Sequence, residues 1–210
     1  TKNAPAILLL GELYETLGDY NKSEEFYKRA ITILEKQFGR EHVDVATSIS
    51  KLAIVMFYEG EEDNQKIESL LFEAKDIIGK RFSYKSPLYA DLLKDMARFF
   101  ISENKLQDAL SFLEQSEDIW KEKAGRRNNI KAADIHILRG DIFYKQRKWN
   151  EAENEYKESQ KLNEKFFNDQ HPEYVKATSR MSKVYYMDGN QRKAKSYIEE
   201  VMSNYNRFIK

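Results

Sequence analysis

Residues 10–30 read LGELYETLGDYNKSEEFYKRA. Small residues stand at Gly11, Gly18, Ser23 and Ala30, and large rings at Tyr14 and Tyr27. Apolar residues recur three and four apart on either side of Gly18-Asp19, the mark of two helices that each bury one stripe and are joined by a turn. Gly11 and Ala30 are suited to a close antiparallel crossing. A minimal side chain lets the two backbones approach, and a bulky residue of the partner helix fills the notch. Gly18 supplies the turn. One such hairpin settles little; its recurrence settles the fold class.

The pattern does recur. The small residue that follows the first apolar cluster reappears as Gly11, Ala53, Ala97, Gly140 and Ser182, at steps of 42, 44, 43 and 42 residues. Three positions further on stand Tyr14, Met56, Phe100, Phe143 and Tyr185. The later half of each unit repeats a second small residue at Ser23, Ala109, Ala152 and Ala194, with Ile67 as the exception. Four residues beyond it come Tyr27, Leu71, Leu113, Tyr156 and Ile198. Turn-forming stretches separate the halves: LGDY (17–20), EGEEDNQ (60–66), ENKL (103–106), QRKW (146–149) and DGNQ (188–191).

This order of Leu-Gly, Tyr, Ala, aromatic and small residue resembles the tetratricopeptide repeat. The resemblance implies an all-α fold, a right-handed superhelical array of antiparallel helix pairs (a TPR α-solenoid). It places one array over 1–210, with repeats at about 4–42, 43–85, 86–128, 129–170 and 171–210. The usual unit is about 34 residues, and these are longer. The intervening GREHVDVA (39–46), SYKSPLYA (83–90), RRNNIKAA (126–133) and NDQHPEYV (168–175) look like the linker of the long kinesin-light-chain type. That repeat type also occurs in bacterial scaffolds upstream of effector domains such as CHAT-type proteases. The chain is therefore expected to be a fragment of a longer protein.

His42, Ser86, Asn129 and His171 occupy equivalent linker places, before Val43, Pro87, Ile130 and Pro172. Ser and Asn are good helix N-caps, and Pro is preorganised for the first helical position. The two histidines either cap the next helix or pack on the preceding one. As metal ligands they are too far apart along an extended array. At the ends, APAILLL (4–10) is apolar nearly all round and is expected to meet an upstream repeat or another chain. The last helix (191–210) either caps the array or docks Tyr205, Phe208 and Ile209 onto a following helix.

The totals exclude several classes of activity. With 35 basic and 35 acidic side chains the net charge is zero, which argues against nucleic-acid or anionic-membrane binding. The basic run KEKAGRR (121–127) reads as a solvated helix end. The 2 Trp, 13 Tyr and 12 Phe provide for a substantial core and speak against disorder. The absence of cysteine removes disulfides and thiolate chemistry and fits the cytoplasm. No nucleophile elbow, P-loop or H-E-x-x-H motif is present, so neither an enzyme nor a cofactor or metal is expected. Pairs such as Glu24-Glu25, Glu61-Glu62 and Glu199-Glu200 read as solvated helix faces, and His136 as a core or groove histidine.

Function is then expected from surfaces: a protein-interaction scaffold binding a peptide or partner domain, or a regulatory segment whose effector lies elsewhere. End-to-end self-association is a further possibility. In the family the first helices line the concave face. On that frame Lys51 and Phe57, Lys94 and Arg98, Asp141 and Tyr144, and Arg180, Lys183 and Tyr186 become the candidate lining. Ile54, Ile101 and Ile137 are expected exposed on the same face. Phe57, Tyr144 and Tyr186 hold one frame position and suggest an aromatic ladder, with cations beside it. The paired groove asparagines of kinesin light chains are absent: Ser50-Lys51, Lys94-Asp95, Ile137-Leu138 and Ser179-Arg180 stand there. Arg98 stands where the chaperone-type carboxylate clamp has Asn, and Arg139 replaces an apolar consensus residue.

Overall fold

The computed structural model describes residues 3–124, 130–167, 169 and 171–208. Asn129, Ile209 and the 125–127 part of the basic run lie outside the described residues, as do the side chains of Tyr205 and Phe208. Among the described residues the regular structure is all helical. The helices are α1 (Ala4–Thr16), α2 (Tyr20–Phe38), α3 (Val43–Glu59), α4 (Asn64–Ile78), α5 (Pro87–Ser102) and α6 (Leu106–Ala124). They continue as α7 (Lys131–Lys145), α8 (Trp149–Phe166), α9 (Pro172–Met187) and α10 (Gln191–Phe208). A π-helical turn, Gly79–Ser83, prolongs α4, a feature that the apolar spacing does not predict.

The chain divides into two compact units, Thr1–Phe99 and Phe100–Lys210. In the first, α1 packs on α2, α2 on α3 and α3 on α4. In the second, α6 packs on α7, α7 on α8, α8 on α9 and α9 on α10, while Phe100 meets Phe112 of α6 edge to face at 5.2 Å.

Each hairpin turns in the same way. A left-handed residue sits seven places after the small crossing residue: Gly18, Gly60, Asn104, Arg147 and Gly189, with φ of 75°, 90°, 58°, 58° and 82°. The amide of the next residue reaches back to the carbonyls of Tyr14, Met56, Phe100, Phe143 and Tyr185 at 2.8–3.0 Å. The left-handed residue's own amide bonds to Glu15, Phe57, Ile101, Tyr144 and Tyr186. These two bonds are the Schellman closure, which satisfies carbonyls the ending helix leaves free. The residues three places after each small residue thus matter through their carbonyls as well as their side chains.

The crossings follow the predicted notch. A Cβ built on Gly11 would stand 2.7 Å from the Tyr27 ring, and one on Gly140 would stand 2.4 Å from Tyr156. Glycine is therefore required where the opposing residue is tyrosine. Where the small residue is Ala53 the opposing residue is Leu71, and both are buried. Ser23 adds a hydrogen bond across the first crossing, its hydroxyl donating to the Gly11 carbonyl at 2.8 Å.

The linkers resolve the two readings of the histidines in favour of both. His42 Nδ1 accepts the Asp44 amide at 3.2 Å, and His171 Nδ1 accepts the Glu173 amide at 3.3 Å, so each caps its helix. Each ring also stacks on the end of the preceding helix, His42 on Phe38 at 4.6 Å and His171 on Phe167 at 3.9 Å. Ser86 caps α5 through the Tyr89 amide at 3.1 Å. In α1, Leu10 and Leu13 are 40% and 51% exposed, whereas the equivalent Leu52, Met96, Met181 and Val55, Phe99, Val184 are buried. In α3 and α9 a preceding second helix packs against the first.

Candidate functional site

The nine candidate residues lie on first helices, and the structure gathers them into separate neighbourhoods. In the first unit Lys51 of α3 pairs with Glu12 of α1 and lies 6.0 Å from the Tyr27 ring centre. Phe57 is half-buried, edge to face with Phe99 at 5.8 Å and beside Tyr58 at 5.2 Å. Lys94 is largely covered, with Nζ 3.5 Å from Asp91. Arg98 donates to Asp95 at 2.9 Å. The Asp95 side chain keeps 34% of its surface in contact with solvent. Crowding around it nevertheless pushes its carboxyl above the usual range, against the opposing pull of Arg98 and Lys94.

In the second unit Asp141, Tyr144, Arg180 and Lys183 come together around an open pocket of about 110 Å³, with Tyr156 as the fifth wall. Helix α7 supplies Asp141 and Tyr144, α8 supplies Tyr156, and α9 supplies Arg180 and Lys183. Asp141 is the hub. Its Oδ1 accepts from the Tyr156 hydroxyl at 2.7 Å and from Arg180 Nε at 2.7 Å, and its Oδ2 accepts from Arg180 Nη2 at 3.0 Å. A bidentate guanidinium–carboxylate pair fixes geometry as well as charge. Burial, with the Asp141 charge beside it, pushes the Tyr156 hydroxyl far up. Desolvation works against the Arg180 charge, and the bonds to Asp141 more than offset it.

Two candidate groups of α9 remain open, Lys183 in the pocket lining and Tyr186 three residues beyond it. Lys183 is exposed and has no ion-pair partner among the described residues. Tyr186, one turn along α9, is 68% exposed. Tyr144 is half-buried, edge to face with Trp149 at 5.5 Å, and packs on the core formed by Ile137, Ala152, Tyr156, Ala177, Met181 and Val184.

One expectation fails. Ile54, Ile101 and Ile137, predicted exposed, are 6%, 7% and 3% exposed and belong to the core. Branched apolar side chains at the edge of a helix's apolar stripe are drawn into the packing, since burial of each is worth about 1.5–3 kcal/mol. Tyr156 was not among the candidates, and its signal was Gly140: a glycine at a crossing calls for a large opposing ring. Arg139 now has a reason. It donates to Glu117 of α6 at 2.7 Å and lies 3.6 Å from Glu155 of α8, which His136 also meets at 2.7 Å. The irregular residue thus joins three helices through charge where other units use apolar contact.

A larger recess of about 280 Å³ lies beside the first linker, lined by Glu41, Asp76, Ile77, Lys80 and Arg81. Its charges are spent on each other, Arg81 on Glu41 and Lys80 on Asp76. Among the described residues no cluster of three or more His, Asp or Glu side chains is placed to hold a metal ion. No described helix is long and apolar enough to cross a membrane.

The tetratricopeptide repeat profile matches residues 3–71 and 131–207. The chain belongs to the tetratricopeptide repeat family. A TPR repeat-containing protein of Dictyostelium discoideum is 25% identical over 118 residues, which is 55% of this chain and 7% of that protein. The chain therefore spans a small part of that relative's length. Among solved structures, the kinesin light chain nearly identical TPR-like repeats of Podosopora anserina superpose with a TM-score of 0.72 at 19% identity, covering 99% of this chain and 97% of that one. A Rap protein complexed with Competence and Sporulation Factor superposes with a TM-score of 0.79 at 17% identity, covering 94% of this chain and 52% of that one. These likenesses establish the TPR fold along nearly all of the chain. The fold and family are those of a protein-interaction scaffold.

Proposed function

We propose that this TPR chain binds a peptide or an extended segment of a partner protein along its first helices, and that in the second unit the binding point is the open pair of α9, Lys183 and Tyr186. The observation that carries the reading is the contrast within α9. Arg180 is held by Asp141, while Lys183 and Tyr186, three and six residues on, keep their charge and ring open. A rigid, internally satisfied clamp beside two open groups keeps the ordering cost of binding low. A Rap conjugation gene regulator of the plasmid pLS20, of the same fold, is solved in complex with the Phr* peptide, which supports a peptide-sized ligand here. A segment carrying a carboxylate next to an apolar side chain fits the open pair.

The test selects peptides from a random display library on the unaltered chain and measures the best of them by isothermal titration. Truncation of Tyr186 to Ala or reversal of Lys183 to Glu is expected to weaken binding by about 1–3 kcal/mol each. Selected peptides that bind both variants with unchanged affinity would move the site elsewhere. A second reading makes the chain the regulatory part of a longer protein with its effector domain elsewhere; the Dictyostelium relative, of which the match covers 7%, supports the greater length alone.

A further inference from the structure

Two linkers 129 residues apart carry the same device. In each, a phenylalanine at the end of a second helix supports a histidine four residues later, Phe38 under His42 and Phe167 under His171. In each, the ring's Nδ1 accepts the amide of the residue two places on, Asp44 or Glu173. An Nδ1 that accepts must be bare, so the ring is neutral with its proton on Nε2. Imidazoles take up a second proton within the range of pH 5 to 8. The proton would go to Nδ1, turning the acceptor into a donor that faces an amide donor at the positive end of a helix.

The surrounding charges decide what the ring does next. Asp44 Oδ2 lies 3.6 Å from His42 Nδ1 and would draw the protonated ring toward itself. Glu41 and Arg81 share the recess with His42 but are paired together, and Arg40 is engaged by Glu35 and Glu73. At the second joint the Glu173 carboxylate is held by Lys176 at 3.0 Å, Glu200 of α10 accepts from the Tyr174 hydroxyl at 3.2 Å, and Asp169 lies on the linker itself. Whether the ring stays over its phenylalanine or swings to a carboxylate, the helix amide loses its acceptor.

We propose that His42 and His171 are proton-sensitive caps that loosen the starts of α3 and α9 in mildly acidic medium, and that α5, capped by Ser86, does not respond. A serine hydroxyl accepts an amide at any of these pH values, so the molecule contains its own control. The inference stands whether or not the α7–α9 pocket binds a partner.

The experiment compares thermal unfolding of the whole chain at pH 7.5 and 5.5 with that of the H42S/H171S double variant. Carboxylates and His136 are common to both proteins, so their titration cancels. The unaltered chain is expected to lose roughly 4–8 °C more than the variant between the two pH values, the shift produced by losing two caps of about 1 kcal/mol each in a chain of this size. Equal losses overturn the proposal. Should the variant fail to fold, backbone amide shifts of Asp44 and Glu173 in the unaltered chain are followed by NMR against pH. They are expected to move together with their histidine ring signals while the Tyr89 amide stays still. Amides of Asp44 and Glu173 that ignore the ring titration overturn it equally.

Discussion

The first and fourth hairpins solve one packing problem with different side chains. Both cross at a glycine against a buried tyrosine, Gly11 with Tyr27 and Gly140 with Tyr156. Both tie the next first helix by an ion pair 39 residues long in sequence, Glu12–Lys51 and Asp141–Arg180. In the first hairpin the duties are divided: Glu15 accepts from the Tyr27 hydroxyl at 2.7 Å and Glu12 takes Lys51. In the fourth, Asp141 does both. That economy frees the place of Glu15, which becomes Tyr144. The next helix also differs, with Lys183 and Tyr186 where the first unit has the buried Ile54 and the packed Phe57. Two array positions are thus structural in the first unit and open to solvent in the second.

The crossing itself gives the largest effect. G140A should cost about 3 kcal/mol, the upper range for overpacking, because the clashing ring is only 1% exposed and has no room to turn. The alanine–leucine pairing of the second hairpin, Ala53 with Leu71, supplies the repair. G140A/Y156L should regain much of the loss by denaturant titration, though not the hydrogen bond to Asp141. A G140A protein as stable as the parent would dissolve the link between glycine and tyrosine.

The shared carboxylate comes next. D141N should cost about 1.5–3 kcal/mol, since it weakens three charge-assisted bonds at once and leaves a guanidinium that is 29% exposed without its counter-charge. E12Q disturbs one pair whose members are 45% and 34% exposed, and should cost about 0–1 kcal/mol. Equal costs from the same denaturation measurement would mean that sharing confers no special weight on Asp141.

Much of this is legible in the sequence alone. The period, the crossing residues, the turns at Gly18, Gly60 and Gly189, and the Ser86 cap all follow from local rules of sterics and backbone hydrogen bonding. The exposure of the candidate lining is less legible because it depends on contacts between one hairpin and the next. Frame position puts Ile54 and Lys183 in the same place, yet chemistry sends one into the core and the other into solvent. The charge layer around Arg139 shows as an irregularity in sequence, but its partners Glu117 and Glu155 lie on two other helices and carry no local mark. The π turn at 79–83 has no such signal either.

The smallest effect concerns the turns. Four of the five left-handed positions hold Gly or Asn, the residues that tolerate positive φ, and the fourth hairpin holds Arg147 at φ 58°. A side chain with a Cβ pays about 1–2 kcal/mol for that conformation. Arg147 is exposed and has no ion-pair partner among the described residues, so nothing visible repays it. R147G removes the strain but gives the unfolded chain more freedom, and the two together should leave a gain of about 0.5–1 kcal/mol. A rise in the denaturation midpoint with an unchanged slope would show the fourth turn to be the same device as the other four, filled with a poorer residue. A fall would mean that the arginine side chain contributes something its neighbours in the frame do not, and the two hairpins would then differ at the turn as well as at the carboxylate.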